Sequence, residues 1–176
     1  VNHWKGQDYF IDIAKQILNS EPDTKFVIAG DAYPGNEHLV DKLINRIKNE
    51  LPSQSVFYIG YRTDIPNILK SIDIFVLPSI LPDPFPTVIL EAMASSKPVV
   101  ATNHGGALEM VAHTETGIII PYDDADQSAG EILKLIRDRE KILSMGKLGN
   151  IRIHTLFSLD KFKASILNIF SETLAN

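Results

Sequence analysis

Five short apolar runs constrain this chain more than any other feature: FVIAG (26–30), VFYIG (56–60), IFVLPS (74–79), PVVAT (98–102) and GIIIP (117–121). Each is apolar at consecutive rather than alternate positions and is bounded by Gly, Pro or Ser, the pattern of a strand covered on both faces. Between the runs lie helical periods. Phe10, Ile13, Ala14, Ile17 and Leu18 recur at i, i+3, i+4, i+7 and i+8, and Val40, Leu43, Ile44, Ile47 and Leu51 fall on one stripe. Strands that alternate with helices through short connections imply right-handed crossovers and a parallel sheet with helices on both faces. The expected fold is therefore α/β, a doubly wound, Rossmann-like parallel sheet. Beyond Pro121 the pattern is helical, over 125–137, 140–155 and 159–174, so additional C-terminal helices follow the sheet. The last of them carries Phe162, Ile166, Ile169, Phe170 and Leu174 on one side, a stripe that needs a partner surface, either its own sheet or another domain.

A chain of 176 residues, 44% hydrophobic, suffices for one full core. A single domain over 1–176 is expected. Its first helix begins near Gln7 with no strand before it, although a doubly wound domain opens with a central strand, so the first strand is expected upstream of Val1. The opening VNHWKGQ has neither an initiator Met nor a basic start followed by an apolar run, and reads as the continuation of a longer chain rather than as a signal peptide. Seventeen basic against 22 acidic residues leave a net charge of −5, which argues against nucleic acid as a partner. No apolar stretch approaches the roughly 20 residues of a membrane span, and the absence of cysteine suits a reducing compartment. The expected location is cytoplasmic.

In doubly wound sheets ligands sit outside the carboxyl ends of the strands, which directs attention to LPDPFPTVILEAMASSKPVVATNHGG (81–106). Pro86 fixes φ near the helical value and lacks an N–H, so it suits the first turn of a helix running to about Ser95. The free first-turn amides of Thr87 and Val88 then point into the loop at the positive end of the helix dipole, a phosphate site. Glu91, four residues after Thr87, lies one turn deeper on the same face, where its carboxylate can accept two hydrogen bonds from a ribose diol. Asp83 sits outside the helix on a stiff, proline-rich loop. A plainer reading stands beside this one: Asp83 favours the helix dipole, Glu91 is solvated and the prolines stiffen the loop.

The segment DPFPTVILEAMASSKPVVAT followed by GGALEMV, with two acidic residues separated by seven others, resembles the donor-binding domain of retaining GT-B glycosyltransferases of glycosyltransferase family 4. The resemblance extends through KGQDYFIDIA, FVIAGD, YIGYRTDIPNILKSIDIFVLPS and TGIIIPYDDADQSAGEIL, nearly the whole chain, in the family's order. It implies that Glu91 binds the ribose hydroxyls and that Asp83 lies beside the transferred sugar and its developing positive charge. It also implies that Thr87 and Val88 offer backbone amides to the diphosphate, with Phe85 and Pro86 in the same donor loop. Lys5 matches the lysine that neutralises the diphosphate, although in isolation it reads as an ordinary solvated lysine. Gly60, Tyr61 and Arg62 fall in the segment whose main chain lines the nucleobase. The implied enzyme is a retaining, metal-independent hexosyltransferase-like protein using a UDP- or GDP-type sugar, without a cofactor, in glycan, lipopolysaccharide or capsule synthesis. Its partners would be the nucleotide sugar, an N-terminal acceptor domain of the same enzyme and, peripherally, the inner face of the membrane. This piece alone is expected to be inactive. Asp83 stands for the usual Glu, Pro86 for the usual Gly and Ser96 for a commoner Gly.

Other chemistry is weaker. His3, His38, His104, His113 and His154 show no metal-ligand spacing, and only His104 lies near the site. Asp124 and Asp126 form an aspartate, any residue, aspartate pattern that reads as a helix cap. A glycosidase's carboxylate pair is disfavoured because one carboxylate belongs to the phosphate-binding helix. No Gly-x-Gly-x-x-Gly turn supports a nicotinamide site. The alternative from another class is a noncatalytic nucleotide- or protein-binding α/β module with a degenerate donor site.

Overall fold

The computed structural model describes residues 1–174. A short 3₁₀ turn, His3–Lys5, opens the chain and leads into α1 (Gln7–Ser20). There follow β1 (Phe26–Ile28), α2 (Glu37–Glu50), β2 (Val56–Tyr58), α3 (Ile65–Ser71), β3 (Phe75–Leu77), α4 (Thr87–Ala94) and β4 (Val99–Thr102). The chain continues through α5 (Ala107–Met110), β5 (Gly117–Ile120), α6 (Ala125–Ile136), α7 (Arg139–Leu156) and α8 (Leu159–Leu174). All five apolar runs are strands, and every pairing is parallel.

The strands do not form one continuous sheet. They fall into a pair, β1–β2, and a triplet, β3–β4–β5. The central strand β4 is paired on both sides and buried at every position, whereas β1 and β3, although equally apolar, are only partly covered. One core lies on the face where Ile11, Ile13 and Ile17 of α1 meet Ile28, Val100, Ile118 and Ile132. The other lies where Ile89 and Met93 of α4 meet Leu77, Val99, Ala101 and Met110. Adjacent residues of β4 thus face opposite cores, which is why its sequence is a continuous apolar run. α7 contributes Ile142 and Met145 to the first core and packs Ile153, with Phe157 just past its end, against the second.

Polar anchors fix the outer helices. The Tyr9 hydroxyl is within hydrogen-bond reach of the carbonyls of Pro121 and Asp124 (2.8 and 2.9 Å) and the Ser128 hydroxyl (2.7 Å), fastening α1 to the start of α6. Asp124 caps α6 by accepting from the Gln127 amide at 2.9 Å, the role expected of it. α2 departs from its periodicity: only Leu43 is buried, and the helix is held to α1 largely by charge. Arg46 reaches Asp8 (3.1 Å), Asp12 (2.6 Å) and Glu50 (2.7 Å), while Lys42 reaches Asp8 at 2.7 Å. α8 buries none of its residues, so its apolar stripe does not pack on the sheet; Phe162 and Phe170 are each 62% exposed. No helix among the described residues is long and apolar enough to cross a membrane.

The Arg46 cluster has a pH signature. The hydrogen bond to Glu50, then those to Asp12 and Asp8, outweigh partial burial and raise the Arg46 guanidinium above its ordinary value. Burial of Asp8 opposes its ionisation, but hydrogen bonds from Lys42 and Arg46 prevail and hold its carboxyl below the ordinary value; the Arg46 hydrogen bond lowers Glu50 likewise. A carboxyl depressed in the folded state contributes stability above its unfolded pKa, here 3.8 for Asp8 and 4.5 for Glu50, and loses it as pH falls through the folded value. Arg46→Met is expected to cost about 1–2 kcal/mol near neutrality and to flatten the acid limb of stability below about pH 5. Urea denaturation across pH would refute this by returning an acid limb as steep as that of the unsubstituted protein.

Candidate functional site

The carboxyl ends of β3 and β4 build the site's floor. At the end of β4, the Thr102 hydroxyl donates to the Ser79 carbonyl at 2.6 Å, and the His104 Nε2, two residues on, lies 2.7 Å from the same oxygen, tying the two strand ends together. His104 also packs tilted against Tyr122, ring centroids 5.1 Å apart. The chain then turns through Gly105, at φ +63°, and Gly106, whose amide donates to the Asp83 carbonyl at 2.8 Å. A Cβ on Gly105 would lie 2.4 Å from that carbonyl oxygen, and one on Gly106 would lie 2.2 Å from the Pro84 carbonyl oxygen. The two glycines are therefore the surface on which the proline-rich loop rests, and no side chain fits there.

The loop ends where α4 begins. Pro86 is the N-cap residue of α4, in an extended conformation (φ −72°, ψ 90°), and its carbonyl accepts from the Ile89 amide at 3.0 Å. No side chain among the described residues caps this end, which leaves the amides of Thr87 and Val88 without a helical partner. The helix buries Ile89, Ala92 and Met93 and exposes Thr87 and Glu91 on its other side, so those two share a face as their spacing requires. Among the described residues the Glu91 carboxylate makes no hydrogen bond or ion pair.

Lys5 and Asp83, 78 residues apart, meet in a salt bridge of 2.6 Å, with side chains 33% and 15% exposed. The Lys5 ammonium also lies 4.2 Å from the Trp4 ring centroid. The turn that presents Lys5 is pinned from both sides. The Ile80 amide donates to the Trp4 carbonyl at 2.9 Å, and Gly6, at φ +74°, sits so close that a Cβ would reach 1.8 Å from the Pro78 carbonyl oxygen. Lys5 and Val88 both line a cavity of about 360 Å³ with Ala29, Ile65 and Pro78. Lys5 is thus neither solitary nor freely solvated.

The remaining sequence candidates are less gathered. Gly60, at φ +66°, turns the chain out of β2, and its carbonyl accepts from the Gly30 amide at 2.8 Å. Tyr61 is 73% exposed. Arg62 forms a two-pronged pair with Asp64, 2.8 Å at each contact, which raises the guanidinium pKa and pulls the Asp64 carboxyl below its ordinary value. Among the described residues neither Tyr61 nor Arg62 forms a hydrogen bond or ion pair with Lys5, Asp83 or Glu91. Phe85 is exposed beside the buried Pro86. Trp4, Gly6 and the Ser79 hydroxyl, which is buried without a hydrogen-bond partner among the described residues, were not among the candidates. Ser79 carried a signal nonetheless, standing at the carboxyl end of an apolar run.

Residues 1–151 match the family model described as Glycosyl transferases group 1. The chain is 28% identical over 176 residues to the lipopolysaccharide core biosynthesis mannosyltransferase LpsB of Rhizobium meliloti (strain 1021), covering 99% of this chain and 50% of that protein. Among solved structures, Anabaena Alr3699/HepE in complex with UDP and glucose superposes with a TM-score of 0.89 at 30% identity, over 98% of this chain and 46% of the other. The C-terminal domain of the glycosyl transferase group 1 family protein LpcC from Francisella tularensis gives a TM-score of 0.81 at 26% identity, over 90% of this chain and 83% of the other. The chain spans about half the length, or less, of the curated relatives it matches.

Gly105→Ala tests the glycine floor. It is expected to destabilise the protein by about 3 kcal/mol, through left-handed backbone strain and overpacking together. Gly35→Ala, at φ +89° with no atom of a non-adjacent described residue within 4 Å of the added carbon, carries only the backbone part, about 1–2 kcal/mol. Equal losses for the two variants in thermal denaturation would show that the loop does not rest on Gly105.

Proposed function

The chain belongs to the glycosyl transferases group 1 family, and from that premise we propose that it is the nucleotide-sugar-binding domain of a retaining glycosyltransferase of family 4. The whole enzyme moves a sugar from a UDP- or GDP-type donor to an acceptor in lipopolysaccharide or other glycan assembly, in the cytoplasm and against the inner face of the membrane. The observation that carries this reading is the Lys5–Asp83 pair, assembled from distant segments beside the uncapped amides of α4.

Each group has a task in that chemistry. The donor's diphosphate lies over the amides of Thr87 and Val88, where the helix dipole favours negative charge, and Glu91 holds the ribose diol one turn further along. When the bond between the anomeric carbon and the diphosphate oxygen breaks, the leaving group gains negative charge and the sugar positive charge. The Lys5 ammonium stabilises the first and the Asp83 carboxylate the second. The acceptor oxygen attacks the same sugar face and passes its proton to the departing phosphate oxygen, which needs no side-chain nucleophile, metal or cofactor. Gly60, Tyr61 and Arg62 give main-chain contacts to the base, and Phe85 and Pro86 shape the donor loop. The acceptor binds to an N-terminal domain, for which the exposed stripe of α8 offers a docking surface. Without that domain, residues 1–176 bind donor but do not turn it over.

Calorimetric titration with UDP, GDP, ADP and NAD tests the reading. Binding of UDP or GDP is expected, with NAD inert. Glu91→Ala and Lys5→Ala are each expected to weaken nucleoside diphosphate binding about tenfold, near 1.4 kcal/mol. Asp83→Asn, which releases Lys5 from its carboxylate, is expected to retain or tighten it. Undiminished binding by Glu91→Ala ends the ribose assignment, and failure of every nucleotide to bind favours the noncatalytic module.

A further inference from the structure

Lys5 is held by more than its carboxylate partner. A lysine ammonium rides on a flexible four-carbon stem, so its surroundings have to fix it. The 2.6 Å hydrogen bond to the Asp83 carboxylate is one fixture. The second is Trp4, whose ring the ammonium overlies at 4.2 Å from the centroid, inside the roughly 6 Å reach of a cation–π attraction. Trp4 is itself anchored. Its carbonyl accepts from the Ile80 amide at 2.9 Å, which ties its backbone to the loop that carries Asp83. Before it, the Asn2 side chain accepts from the Lys5 amide at 2.9 Å; after it, Gly6, at φ +74°, closes the turn against the Pro78 carbonyl. Among the described residues Asp83 is the ammonium's only hydrogen-bond partner. Two of its three N–H groups are therefore uncommitted within the protein.

We propose that Trp4 is the positioning residue for Lys5: its ring holds the ammonium at the mouth of the site while the Asp83 carboxylate gives way to the donor's diphosphate. What Lys5 meets rests on the donor-binding reading; how Lys5 is held rests on the geometry of the turn alone. A ring suits this task better than a second carboxylate would. An aromatic face attracts a cation through its quadrupole and carries no net charge, so the ammonium keeps its full charge for a phosphate oxygen. A carboxylate in the same place would neutralise the ammonium and repel the diphosphate. The ring also demands no fixed hydrogen-bond direction, so the ammonium can turn its uncommitted N–H groups toward phosphate without leaving it. In the free protein Asp83 and the ring hold the same group, and the carboxylate alone suffices. Once the carboxylate is withdrawn, the ring is the remaining fixture. A binding group kept in place before its ligand arrives costs less entropy to use, so the ring makes a preorganised contact out of a flexible lysine.

Trp4 is the chain's single tryptophan, so incorporation of mono-, di- and trifluorotryptophan alters this ring and no other. Each fluorine drains the negative face while nearly preserving the ring's shape. Two readouts separate the holding role from the donor role. Without nucleotide, the Lys5 ε-methylene protons are expected upfield of those of the other lysines in NMR spectra, because the ammonium they adjoin overlies the ring. They are expected to stay upfield in Asp83→Asn, where the ring alone holds the ammonium, and to fall back stepwise as fluorines are added to that variant. With UDP and GDP, affinity is expected to drop about threefold across the fluorine series in Asp83→Asn, less in the unsubstituted protein, and not at all when Lys5→Met removes the cation. In the Asp83→Asn background, Trp4→Phe, which keeps an aromatic face, is expected to bind more tightly than Trp4→Leu. Lys5 protons that rejoin the other lysines in Asp83→Asn, or an affinity there that ignores fluorination, would overturn the proposal. So would a fluorine dependence that persists with Lys5→Met, since it would mark direct contact between the ring and the donor. Upfield Lys5 protons in a protein that binds neither nucleotide would sink the donor-binding reading and leave the holding role standing.

Discussion

Pairing of β4 on both edges and burial of both its faces is the constraint from which the rest of the molecule follows. Val100 faces the core beneath α1, while Val99 and Ala101 face the core beneath α4. Moving β4 would therefore disturb both layers at once. That rigidity is carried to the strand's carboxyl end, where Thr102 and His104 hold the Ser79 carbonyl and Gly105 and Gly106 carry the proline-rich loop. The loop's conformation is thus set by main-chain contact with a fixed strand end, not by its own side chains. A loop so supported can present Asp83 and the first turn of α4 without the entropy of a free surface segment.

Much of this was legible in the residues, for identifiable reasons. A strand buried on both faces has to be apolar throughout, so the five runs announced themselves, and helices α1 and α6 to α8 showed through their periods. α3 and α5, of seven and four residues, are too short for a period to register. α2 shows the opposite failure: Val40, Ile44 and Ile47 sit on an apolar stripe yet are only partly covered, because Arg46 and Lys42 supply the attachment to α1. The division into two sheets lay beyond the reach of pattern, since an apolar run does not name its neighbours.

At the candidate site, local geometry was legible and long-range geometry was not. The spacing of Thr87 and Glu91 fixed a shared helical face, and Pro86 fixed where the helix starts. Nothing in the spacing of Lys5 and Asp83 placed them 2.6 Å apart. Nor did it indicate that Arg62 would be occupied by Asp64. The glycines of NHGG were visible as residues, but their purpose depends on what lies opposite them, which is the backbone of Asp83 and Pro84.

On the proposed function, the ion pair gives the two departures that the resemblance implies, Asp83 for Glu and Pro86 for Gly, a common physical rationale. An aspartate reaches one methylene less far than a glutamate, so the same carboxylate position requires a closer loop, and the paired glycines permit that approach. Pro86 gives up one amide but holds the loop's exit at a fixed φ, which limits how far Asp83 can retreat. On the proposed function, the pair also orders the charges in time. Before donor arrives, Lys5 and Asp83 neutralise each other in a partly desolvated setting, where either charge alone would be costly. An incoming diphosphate competes for Lys5 and leaves the Asp83 carboxylate less compensated. The uncompensated negative charge then lies beside the sugar at the stage when positive charge develops there, so the free energy of that mismatch is relieved in the transition state rather than in the bound donor.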